Sequence, residues 1–124
     1  MNKQRICIVG DGLAGLMAAV VLGRIPEVDI NLIAKKEKKN LDKRTTAISQ
    51  TNFKFIQENI VRLDNNLFWP SKNIELFYET SKEKINFLNL NEAHSNLMYV
   101  FENDKIKNIL LKEISKNKIE IIRK

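Results

Sequence analysis

The chain has 124 residues, 44% hydrophobic and 29% charged, the dimensions of one ordinary globular domain with room for a core. Its 21 Lys and Arg against 15 Asp and Glu give a net charge of +6, much of it at residues 35–39 and 112–124. Acids are mixed among these bases, no aromatic residues interleave with them and no nucleic-acid motif is present, so the charge reads as solvated faces and not as a nucleic-acid surface.

The first apolar run, residues 5–9 (RICIV), predicts a parallel strand buried on both faces. It leads into Gly10-x-Gly12-x-x-Gly15 and then an Ala- and Leu-rich stretch, the fingerprint of a dinucleotide-binding βαβ unit. Gly10 allows the tight turn, Gly12 lets backbone N–H groups approach a pyrophosphate, and Gly15 lets the helix lie close to the sheet. A helix over residues 13–23 follows, with Leu13, Leu16, Met17, Val20 and Val21 on one side; Gly23 and Pro26 stop it. A second parallel strand is expected at residues 28–34. Cys7, the single cysteine, is expected to be a small buried apolar side chain, and its lack of a disulfide partner fits a reducing, cytoplasmic setting.

Residues 35–44 read as an exposed polar loop. A helix over residues 49–59 carries Phe53, Ile56 and Ile60 at helical spacing, with Ser49 as its N-cap. Residues 68–70 (FWP) mark an apolar turn. Segments 74–79 and 85–90 flank polar residues 80–84 and predict a β-hairpin. A helix over 103–115 buries Ile106, Ile109, Leu110 and Ile114, and residues 119–122 read as a last strand. His94, the only histidine, lies in polar NEAHSN and reads as a solvated loop residue, whereas Met17 and Met98 read as packing. No apolar run is long enough to span a membrane, and MNKQR lacks the cleavage site of a signal peptide. No metal-ligand spacing is present.

Three segments carry a narrower resemblance: GDGLAGLMAAVVL at 10–22, RTTAIS at 44–49 and YVFENDKIKNILL at 99–111. In this order and spacing the chain resembles the FAD-dependent aromatic hydroxylases, the para-hydroxybenzoate hydroxylase-like monooxygenases. Within them it is most similar to the ubiquinone-biosynthesis hydroxylases, with their Arg-x-x-Ala-(Leu/Ile)-Ser and aromatic-Val-x-Glu-Asn segments. The resemblance implies an α/β fold: a Rossmann-like FAD-binding βαβ unit with a parallel sheet, followed by helix, β-hairpin and helix. Residues 1–124 would be the N-terminal part of such a domain, incomplete because family members are several times longer and carry a later Gly-Asp motif and a substrate-binding sheet. An open apolar edge is then expected.

The cofactor-binding residues so implied are Gly10, Asp11, Gly12, Leu13, Ala14 and Gly15, together with Lys35, Arg44 and Ser49. Arg44 matches a family arginine near the cofactor, where its guanidinium can pair with phosphate oxygens; its alternative is a solvated loop cation. Glu102 and Asn103 match the start of a helix bordering the flavin, or else simply cap that helix. The family ends its second strand with an acid for the adenosine ribose. Here Ala34 and Lys35 stand there, so either Glu37 reaches back or the contact is lost, and a Lys can instead favour a 2′-phosphate.

By resemblance, FAD reduced by NAD(P)H takes up oxygen and hydroxylates an electron-rich aromatic substrate, chemistry that belongs to the flavin. No residue of the chain stands out as a catalytic acid, base or nucleophile. The expected setting is cytoplasmic, with peripheral association to the inner membrane allowed. A complementing C-terminal chain or a homo-oligomer is the expected partner. The alternatives are a non-catalytic NADP- or FAD-binding module and an inactive truncated remnant.

Overall fold

A computed structural model describes residues 3–36, 42–117 and 119–124. The elements run β1 (Gln4–Val9), α1 (Leu13–Leu22), β2 (Val28–Ala34), β3 (Thr45–Ser49), α2 (Gln50–Asn59), β4 (Phe68–Ser71), β5 (Asn73–Glu79), β6 (Lys84–Asn91), β7 (Met98–Glu102), α3 (Asn103–Lys116) and β8 (Glu120–Arg123). A single 3-10 turn, Asn65–Leu67, precedes β4. The expected βαβ unit, both later helices, the hairpin and the final strand are all present. Glu37 and the middle of the loop expected at 35–44 lie outside the described residues.

β1, β2 and β8 form a parallel sheet in the order β1-β2-β8. Ile6 and Ile8 on β1, paired with Ile30 and Leu32 on β2, face the layer formed by α1 and α3, where Leu16, Ala19, Val20, Ile106, Leu110 and Ile114 are wholly buried. Alternation along β2 buries Ile30, Leu32 and Ala34 while Asp29 is exposed and Asn31 half-buried. The expectation that β1 is covered on both faces is therefore corrected. β1 is an edge strand of this sheet, and Arg5, Cys7 and Val9 point to the uncovered face, Val9 being 80% exposed. Cys7 is exposed for the same reason.

A second sheet, β3-β7-β4, is antiparallel. Residues 68–70, expected as a turn, are β4, paired with β7 so that Phe68 stands opposite Phe101 and Pro70 opposite Tyr99. Pro70 is tolerated because β4 is an edge strand. Thr45–Ser49 is β3, and the helix expected from residue 49 starts at Gln50 with Ser49 as its N-cap, the hydroxyl accepting from the Asn52 N–H at 3.3 Å. Phe53 of α2 stacks on Tyr99 at 3.8 Å between ring centroids and meets Phe68 edge-on at 4.5 Å. Such aromatic pairs add on the order of 1 kcal/mol beyond area burial, and they join α2 to this sheet. Arg24, just beyond α1, donates to the carbonyls of Asn59 and Ile60 at the end of α2, linking the two layers.

The β5–β6 hairpin forms its own two-stranded sheet. Its register pairs Ile74 with Leu90, Leu76 with Leu88 and Tyr78 with Ile85. These pairs share one face, which is apolar yet open: Tyr78 is 61% and Ile85 49% exposed. Glu75, Glu79, Lys84, Asn86 and Asn89 fall on the other face, where the Lys84 ammonium lies 4.4 Å from the Phe77 ring. No helix among the described residues is long and apolar enough to cross a membrane.

Candidate dinucleotide site

The apolar pairing of β1 with β2 brings the carboxyl ends of both strands to one rim of the sheet, where open α/β folds bind ligands. Gly10 sits there at φ 114°, a left-handed conformation costly for any residue with a Cβ. Its N–H donates to the Ile33 carbonyl at 2.8 Å, so the turn is held against the end of β2. Gly12 is the N-cap of α1 and its carbonyl accepts the first helical bond, from Leu16 at 3.0 Å. No side chain caps this helix and its first turn holds no acid. The amide groups at this end are thus left for an anion, which the helix dipole also favours. A Cβ on Gly12 would meet nothing within 4 Å, whereas one on Gly15 would overlap the Gly10 carbonyl oxygen. The two glycines therefore do different work. Gly15 lets the helix approach the turn, and Gly12 keeps the space above it clear.

Over this turn lies a cavity of about 360 Å³, lined by Val9, Gly10, Asp11, Gly12, Ile33, Ala34, Lys35 and Lys124. A larger cleft, about 600 Å³, opens at the opposite rim beside Lys3, Asp29 and Glu120; it has neither the glycine turn nor strand carboxyl ends. Lys124 reaches the smaller cavity because β8 runs parallel to β2. The Lys124 N–H donates to Ala34 at 3.0 Å, and the Lys36 N–H donates to the Lys124 carbonyl at 3.1 Å. Sequence reasoning missed Lys124, since only the register of β8 on β2 brings it there.

Asp11 places its carboxylate 3.1 Å from the Lys107 ammonium of α3 and 3.7 Å from the Arg123 guanidinium of β8. These cations offset the acid of the turn, and they fasten that turn to two other elements. Neither partner is visible as such in the sequence, since they lie 96 and 112 positions away. Leu13 packs against the core and Ala14 is exposed on the first turn of α1.

Arg44 and Ser49 do not line this cavity. The Arg44 side chain is 82% exposed and makes two 2.7 Å bonds to the Asp42 carboxylate, a bidentate pair. This pairing, with a further bond from Asn103 at 3.4 Å, holds the Asp42 carboxyl well below its ordinary range. Asn103 also accepts from the Thr46 hydroxyl at 2.6 Å, and its N–H donates to the Arg44 carbonyl at 3.0 Å. The second and third sequence motifs are thus physically one cluster, joined by the pairing of Thr45 with Glu102 across β3 and β7. His94 is exposed, and no group of three metal-ligating side chains occurs among the described residues.

The glycine turn, open amides and adjoining cavity fit the pyrophosphate of a dinucleotide such as FAD. For the adenosine ribose, no carboxylate among the described lining residues stands at the end of β2, where Ala34 and Lys35 are found.

No protein-family model matches the chain, and no curated protein matches it. Its fold does match solved structures, oxygenases among them. With p-nitrophenol 4-monooxygenase PnpA from Pseudomonas putida DLL-E4 the TM-score is 0.73 at 13% identity, over 98% of this chain and 32% of that one. With the tetrameric form of 2-methyl-3-hydroxypyridine-5-carboxylic acid oxygenase it is 0.72 at 14% identity, over 99% and 32%. With CtdE solved in complex with FAD it is 0.66 at 21% identity, over 98% and 30%. The chain spans about a third of the length of these structures, and at such identities the likeness is one of fold.

Proposed function

We propose that the chain is the FAD-binding part of a flavin-dependent monooxygenase that hydroxylates an aromatic ring, in the manner of the ubiquinone-biosynthesis hydroxylases. The observation that carries this reading is the Gly10–Gly12–Gly15 turn, with its cavity at the strand carboxyl ends, in a fold shared with CtdE, solved with FAD, and with two solved oxygenases. Bound there, the flavin would supply the redox and oxygen chemistry. The chain's own residues bind and orient: Gly10, Asp11, Gly12, Leu13, Ala14 and Gly15 form the cradle, α1 offers its amides to the pyrophosphate, and Lys35 adds positive charge. Arg44 and Ser49 hold the start of α2 and the loop before it, and Arg44 serves an anion if its bond to Asp42 is exchanged.

An aromatic substrate, NAD(P)H as co-substrate and a complementing chain or second copy belong to the same proposal, as does a cytoplasmic setting with peripheral contact to the inner membrane. The test is retention of flavin. Chain mixed with FAD and passed through gel filtration should emerge yellow, with quenched flavin fluorescence. Colourless protein, both alone and with a polypeptide supplying the remaining two-thirds of such an oxygenase, overturns the reading. A second reading, a non-catalytic NADP- or FAD-binding module, is favoured by Lys35 at the end of β2.

A further inference from the structure

Two lysines converge where the second strand of a dinucleotide fold ordinarily presents an acid. In such folds the residue following that strand reads the adenosine ribose: a carboxylate accepts from its hydroxyls, whereas a nearby cation accommodates a 2′-phosphate. Here Ala34 pairs in register with Arg123, so the next residues on each strand, Lys35 and Lys124, leave the sheet side by side and line the same cavity as the glycine turn. Their backbones are fixed by the bonds from Lys124 to Ala34 and from Lys36 to Lys124. Asp11, the acid among the described lining residues of the cavity, faces Lys107 and Arg123.

We propose that Lys35 and Lys124 form an anion subsite at the adenosine end of this cavity, so that it takes 2′-phosphorylated adenine nucleotides in competition with FAD. The inference rests on the glycine turn being a nucleotide site. A ribose phosphate carries about two negative charges at neutral pH, and a charge-assisted bond from each ammonium exceeds anything a ribose hydroxyl offers a cation. The subsite is supplied by strand ends held in a parallel ladder, which sets the two lysine backbones side by side before any ligand arrives.

Calorimetric titration with adenosine 5′-monophosphate and with adenosine 2′,5′-bisphosphate isolates the single added phosphate. The bisphosphate should bind about tenfold or more tightly and displace FAD at correspondingly lower concentration. The preference should vanish in the double variant Lys35→Gln, Lys124→Gln and survive Lys112→Gln, an exposed lysine elsewhere. Both positions in the double variant are exposed, so folding is retained, which a thermal melt verifies. Equal affinity for the two nucleotides overturns the subsite while leaving the nucleotide site standing. A preference that survives the double variant overturns the assignment to these lysines. Binding of neither nucleotide, nor of FAD, overturns the site and the subsite together.

Discussion

Gly15 lies so close beneath Gly10 that a methyl group on residue 15 would occupy the space of the Gly10 carbonyl oxygen. Relief requires either the backbone turn or α1 to move, and α1 is fixed by the buried Leu16, Ala19 and Val20. Gly15→Ala should therefore destabilise the fold by about 1–3 kcal/mol, the usual range for overpacking. Gly12→Ala is the contrast. Its φ of −71° suits alanine and its surroundings are open, so it should cost less than about 1 kcal/mol while filling space a pyrophosphate needs. Urea melts paired with FAD titration check both, and equal destabilisation by the two variants contradicts this division of labour.

Asp42 sets a pH dependence whose sign follows from its partner. Its folded carboxyl is held below the ordinary value of 3.8 by the bonds from Arg44. The stabilisation is fully present above that value and is lost as pH falls through the depressed folded value. Asp42→Asn should thus lower the melting temperature by the same amount at neutral pH and at about pH 5, with the difference closing only in stronger acid. NMR titration of the Asp42 carboxyl checks the direction, and a midpoint at or above its ordinary value contradicts it.

Asp11→Asn has opposite effects on folding and on anion binding. The variant loses the ion pairs to Lys107 and Arg123, which at this partial burial stabilise by no more than about 1 kcal/mol. It also removes a negative charge from the cavity, so adenosine 5′-monophosphate should bind more tightly, most visibly at low salt. Calorimetry at two ionic strengths tests this, and weaker binding shows that Asp11 orients the turn more than it opposes the ligand.

Leu110 is wholly buried on α3, in the core that this helix shares with α1. Leu110→Ala should cost about 2–5 kcal/mol, a large share of a small domain's stability. Ile109, one position earlier and half-buried, should cost less when changed to Ala; the ratio of the two in urea melts reports how far the helix face is fixed.

The glycine turn is legible in the sequence because Gly10, Gly12 and Gly15 answer local backbone demands. α2 and α3 are legible because Phe53 and Ile56 on the one, and Ile106, Leu110 and Ile114 on the other, recur at helical spacing. The strand state of Phe68–Ser71 is not, since it exists only through pairing with β7 about thirty residues on. The apolar run of β1 suits a strand covered on two faces equally well as one at a sheet edge; helices cover one face here, and Cys7 takes the other. Of the site, the turn and Lys35 could be read directly, whereas Lys124, Lys107 and Arg123 come to it through the register of β8 and the packing of α3.

The hairpin of β5 and β6 has a thermodynamic consequence. Among the described residues its strands pair only with one another and its apolar residues contribute nothing to the buried core, and an isolated two-stranded hairpin is marginal in water. Opening it disturbs neither parallel ladder nor helix layer, so its amides should exchange with solvent through a local event while those of β2 and α3 wait for global unfolding. The chain therefore has two clocks along one backbone, and burying the face of Leu76, Tyr78 and Ile85 would slow only the faster one.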